Sequence, residues 1–180
     1  MTIPNFFDDY HLPPGEHICT MEEISTHFVS NEVRTRRWED FVQMLKRICN
    51  LKLIPEEVLI NGSFVTGRQE PGDVDFAVLI PPDTVRAALK AEDEHDVEGV
   101  RLFVNPNNQV ALRNLFGAHL LIADTKENLS LWSSLFRKGQ CGKLREPDYN
   151  KDPEWVTRPD EKGILKVTKT DIINFIGGEG

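Results

Sequence analysis

The stretch VLINGSFVTGRQEPGDVDFAVLI, residues 58–80, decides the fold. Val58–Leu59–Ile60 reads as a short buried strand that runs into Asn61–Gly62–Ser63. A loop punctuated by Gly67, Pro71 and Gly72 follows. Val74 to Ile80 then reads as a second strand, too apolar after Asp75 to lie at an edge, and Pro81–Pro82 stop it. Residues i and i+2 of a strand share a face, so Asp73 and Asp75 are expected to project together while Val74 points to the other side.

Two neighbouring carboxylates at the start of an apolar strand repel, and each is costly to desolvate without compensation. An oxygen-loving divalent cation is a natural answer, and magnesium is the usual one when a nucleotide's phosphates complete the shell. Gly62 lets the backbone come close to a phosphate, and the Ser63 amide and hydroxyl can donate to its oxygens.

Outward from this stretch, the pattern alternates helix and strand. Residues 1–19 read as an extended arm with a turn at Leu12–Pro13–Pro14–Gly15. Thr20 and Glu23 have capping-box spacing and open a short helix through about Phe28. Trp38, Phe41, Val42, Leu45 and Ile48 mark one face of an amphipathic helix from about Thr35 to Cys49. Thr84 to about Glu94 reads as a helix, and Val100, Leu102 and Val104 alternate like a strand within an ambiguous stretch at 97–107. Val110–Phe116 looks helical, His119–Ala123 reads as a third strand, and Leu129, Trp132, Leu135 and Phe136 share a face of a following helix. Residues 138–162 read mostly as loop. Ile164–Thr168 reads as a last strand and Asp171–Ile176 as a final helical turn before a frayed Gly177–Gly180.

The 180 residues are enough to bury roughly 70% of the unfolded surface without a metal or disulfide staple. There is no internal repeat and no linker long enough to divide the chain, so one domain is expected over 1–180. Cys19, Cys49 and Cys141 form no CxxC pair, which argues against a disulfide framework or a zinc site. The 21 basic and 29 acidic residues give a formal charge of −8, so a nucleic-acid partner would need a local basic patch such as Arg34, Arg36 and Arg37 or Arg137–Lys138. The acids among the first thirty residues, and the absence of any apolar run longer than Phe76–Ile80, lead to the expectation of a cytoplasmic protein with no membrane partner.

The Gly62–Ser63 turn, the nine-residue spacer and the Asp73-x-Asp75 strand resemble the signature of the DNA polymerase beta-like nucleotidyltransferase superfamily, in its minimal nucleotidyltransferase form. The wider stretches Leu12–His17, Gly62–Thr66 and Pro71–Asp73, with Lys162–Gly163–Ile164, look like a bacterial family of small, uncharacterised nucleotidyltransferase-like proteins. The resemblance implies an α/β (α+β) fold, a small mixed sheet with helices on one side. Its core would span 35–137, with 1–19 as an arm and 138–180 as a C-terminal elaboration.

The implied reaction is in-line attack on the α-phosphate of a nucleoside triphosphate, with two Mg²⁺ ions clamping the attacking and leaving oxygens. Asp73 and Asp75 would hold the metals, and Gly62 and Ser63 the triphosphate, with Arg68 as a further candidate contact. The superfamily usually adds a third carboxylate from the next strand. Two positions compete for it: His119, a departure from the usual Asp, and Asp124, which also reads with Thr125 as a helix cap. Five residues apart on a strand, they face opposite sides. Lys143 is a further candidate triphosphate contact, although a lone basic residue on a loop is usually solvated. Lys162, beside Gly163 before a strand, is a candidate phosphate contact for which an ordinary turn is the favoured explanation.

The expected activity is therefore magnesium-dependent transfer of a nucleoside monophosphate, most readily from ATP. The acceptor would be a hydroxyl of a protein, a tRNA or a small molecule, in the setting of a toxin–antitoxin pair or antiviral (phage) defence. The alternative is a nucleotidyltransferase fold without turnover that binds nucleotide or a partner as a regulatory module.

Overall fold

The computed structural model describes residues 2–139 and 142–178, so Cys141 and the last two residues of the Gly177–Gly180 tail lie outside it. At its centre is a mixed sheet of five strands: β1 (Gly15–Ile18), β2 (Glu57–Asn61), β3 (Asp75–Leu79), β4 (His119–Ala123) and β5 (Gly163–Thr168). Their spatial order is β1-β5-β2-β3-β4. Around it lie α1 (Met21–Phe28), α2 (Glu32–Asn50), α3 (Pro82–Ala88), α4 (Glu94–Val104), α5 (Gln109–Phe116), α6 (Lys126–Lys138) and α7 (Lys169–Gly177). The class is the α+β one expected, a mixed sheet flanked by helices.

The deciding stretch forms the middle of the sheet. β2 and β3 are antiparallel, with Asn61 opposite Asp75 and Glu57 opposite Leu79. β3 and β4 are parallel, with Asp75 beside His119 and Leu79 beside Ala123. The parallel pairing follows from the long connection through α3, α4 and α5, since neighbouring parallel strands need a crossover.

Alternate residues of these strands feed two cores. Val58, Ile60, Phe76, Val78, Leu120, Leu165 and Val167 pack with Phe41, Leu45 and Ile48 of α2 and with Ile24 and Phe28 of α1. Leu59, Ala77, Leu79, Leu121, Ala123 and Ile164 pack on the other face under Leu129 and Phe136 of α6, with Trp132 beside them. Each fully buried aliphatic or aromatic side chain contributes about 1.5–3 kcal/mol. Helices thus cover both sides of the sheet, not one: the second face is as apolar as the first and needs the α6 stripe over it.

Several boundaries differ from the sequence reading. The alternation at Val100, Leu102 and Val104 is not a strand: α4 runs through it, burying Val100 and Phe103 at helical spacing and leaving Leu102 exposed. The helix expected over 84–94 starts earlier, with Pro82 in its first turn, and ends at Ala88. α2 starts three residues sooner, because Asn31 accepts from the Arg34 amide and caps it. The last turn is a nine-residue helix. Part of the arm, Gly15–Ile18, is a parallel edge strand on β5. The Thr20–Glu23 capping box is present as expected.

Candidate functional site

The register of the three central strands sets Asn61, Asp75 and His119 in one row across the sheet. Leu59, Ala77 and Leu121, two residues further along each strand, belong to the core under α6. The row therefore faces the same side, past the end of that core.

His119 Nδ1 lies 2.9 Å from Asp75 Oδ1. On the other side of Asp75 is Gly62, with φ +81°. A Cβ at Gly62 would overlap the Asp75 carboxylate, so the turn requires glycine for its backbone and for its space. Asn61 Oδ1 is buried and has no hydrogen-bond donor among the described residues.

Asp73 lies just before β3, whose first residue is Asp75. The ladder nevertheless continues past Asp75, since the His119 amide donates to the Val74 carbonyl at 2.9 Å. Arg113 of α5 reaches Asp73 Oδ2 through Nε at 2.6 Å and Nη2 at 2.5 Å. Burial, and then the neighbouring Asp75 charge, push the Asp73 carboxyl above its ordinary value, while Arg113 and His119 pull against them without cancelling.

Lys162 enters from the residue before β5. It is 8% exposed, and its ammonium donates to the Gly62 carbonyl at 3.3 Å. Burial pushes this ammonium down to about 8, with the Asp75 charge pulling it back up. Its backbone is fixed on both sides: the Lys162 amide donates to Arg137 at 3.0 Å and the Gly163 amide to Leu12 at 2.8 Å. A Cβ at Gly163 would run into the Pro13 carbonyl, so the close passage of the arm requires the glycine that follows Lys162.

The turn after Gly62 is held from beneath. Ser63–Val65 form a single 3₁₀ turn. Buried Arg34 donates to the carbonyls of Phe28 and Phe64, to Arg68 at 2.5 Å and more weakly to Thr66 at 3.4 Å. Its guanidinium also lies over the Phe64 ring at 4.9 Å. Burial pushes Arg34 down to about 10, still charged at neutral pH. Arg34 is thus a clamp on the loop, not part of a surface basic patch, and Arg37 pairs with Asp40 at 3.0 Å.

Two sequence candidates sit elsewhere. Arg68 is committed to Asp152, with Nε at 2.7 Å and Nη2 at 2.5 Å from its two oxygens, and the Tyr10 hydroxyl also bonds Asp152. It joins the loop after Gly62 to the segment before β5, and its guanidinium is committed to that pair. Asp124 follows the last residue of β4, at the Leu79 end of the sheet. Five strand residues separate it from His119, about 16 Å. It accepts from Asn128 Nδ2 at 2.6 Å, while Thr125 caps α6. Asp124 therefore does not complete the acidic pair. Lys143 is exposed.

Among the described residues, no three His, Cys, Asp or Glu side chains converge as a metal-binding group. Asp73, Asp75 and Asn61 carry oxygens of the hard type that magnesium takes, and magnesium commonly uses one or two carboxylates and fills its shell with phosphate and water. On the next strand, in register beside Asp75, stands His119, whose imidazole is a poor ligand for magnesium.

A family model matches residues 4–168, from the arm to the end of β5. The chain belongs to DUF6932, a family of unknown function. The DUF6932 match thus spans the Gly62–Ser63 turn, both aspartates, Arg113, His119 and Lys162. No curated protein and no solved structure matches the chain. Among the described residues, no helix is long and apolar enough to cross a membrane.

Proposed function

We propose that this protein binds a magnesium nucleoside triphosphate in a nucleotidyltransferase-type cradle and uses it as a regulatory, partner-directed module without transferring the nucleotide. What supports the nucleotide is the convergence of Gly62 on Asp75, which brings a phosphate-accepting turn against an acidic pair. The observation that carries the loss of transfer is His119: in register beside Asp75, its ring nitrogen occupies a carboxylate oxygen where a third carboxylate would serve a second ion.

In this reading Asp73, Asp75 and Asn61 hold the magnesium, which neutralises phosphate charge when bound. Gly62 and Ser63 receive the phosphates, and Arg34 keeps their turn rigid. Arg113, half-exposed on Asp73, balances the acidic pair while no nucleotide is present.

The test is incubation of the purified protein with α-phosphate-labelled ATP and magnesium, alone and with tRNA or cell lysate as acceptor. Bound but untransferred label is expected from the natural chain. Label transferred by it, and abolished by Asp75→Asn, would overturn the reading and make this a nucleotidyltransferase.

A further inference from the structure

We propose that Lys162 is the phosphate-binding cation of this site, its ammonium meeting a phosphate oxygen of the nucleotide beside the Gly62–Ser63 turn. The inference rests on the nucleotide reading above and names the residue that reads the phosphates. Lysine is almost never buried unless paired, yet Lys162 is buried with no salt-bridge partner within contact among the described residues. Among the described residues the ammonium's one hydrogen bond goes to a neutral carbonyl, that of Gly62 itself. An ammonium carries three donors, so two remain for a ligand.

The placement is prepared by the backbone on either side. Arg137 and Leu12 take the amides of Lys162 and Gly163, and the arm passes against Gly163 so closely that no side chain fits. A side chain kept charged, nearly dry and pre-positioned beside a glycine turn suits a compact anion, and phosphate is the anion that a point-charge ammonium binds well. A merely structural lysine would instead be expected to close an ion pair.

The test titrates Mg·ATP into the full chain and into Lys162→Met by calorimetry, alongside thermal unfolding of both. Affinity should fall about 10- to 100-fold in the variant, the loss of one charged hydrogen bond. Its melting temperature should hold or rise, because a buried charge has been removed. Equal affinity in the two proteins would overturn this inference and leave the nucleotide reading standing. A natural chain that binds no Mg·ATP would overturn that reading, and this inference with it. If Lys162→Met melts lower, showing a structural clip, the ¹³Cε resonance of Lys162 in the natural chain decides. It should move on adding Mg·ATP, and a fixed resonance at saturation would contradict the role.

Discussion

At the scale of single residues, Gly62 and Asp75 set the geometry. Gly62→Ala combines a left-handed φ with an overlap on the Asp75 carboxylate. It should cost about 2–3 kcal/mol of stability, read by urea unfolding, with magnesium-dependent nucleotide binding lost at the same time. The acidic pair and the glycine turn were legible because all of them fall within one short run of sequence. Arg113 and Asn61 were not, and Lys162 was legible only as a minor candidate beside Gly163. Arg113 lies forty residues beyond Asp73 and Lys162 one hundred beyond Gly62, joined only by tertiary packing. For Lys162 a usable signal existed in the glycine beside it, which a close backbone approach explains. Of the two competing positions, Asp124 is ruled out by topology: β4 runs parallel to β3, so the residue that meets Asp75 is His119, the first of β4, and not one beyond its end. The helical connection of about forty residues between the strands already implied that direction.

At the scale of elements, two clamps hold the cradle loop. Arg34 ties it to the start of α2, and Arg34→Met should leave several buried carbonyls without a donor. A loss of about 3 kcal/mol is expected, with faster amide exchange confined first to residues 64–69. The second clamp is Tyr10–Asp152–Arg68. Burial pushes the Asp152 carboxyl up, but the bonds from Arg68 and Tyr10 outweigh it and leave the group below its ordinary value of 3.8. A depressed folded value means stability that is present above 3.8 and lost as pH falls through the folded value. Asp152→Asn should therefore be less stable at neutral pH, by about 3 kcal/mol. Its unfolding free energy should fall less steeply between pH 5 and pH 2 than that of the natural chain. Equal slopes would show that Asp152 is not the group protonated. The elements themselves were readable where apolar residues keep one period, as in α2, α6, β2 and β3. β1 escaped because its four residues form a half-polar edge strand whose partner β5 is nearly 150 residues away.

At the scale of the whole molecule, the sheet gathers the arm, the glycine turn, the acidic pair and Lys162 at one end, while Asp124 and the start of α6 occupy the other. The overall acidity of the chain makes the local balance at the site significant. Arg113 and Lys162 set two basic side chains against Asp73 and Asp75. Binding should be metal-dependent and only weakly sensitive to salt, since a chain of charge −8 supplies no long-range attraction to a triphosphate for salt to screen. Calorimetric titration of ATP, CTP, GTP and UTP with and without magnesium, repeated on Asp75→Ala, tests the central claim most directly. Binding of at least one triphosphate that requires magnesium and disappears in Asp75→Ala is the predicted result. No binding by any of the four, or binding that Asp75→Ala leaves intact, would contradict it.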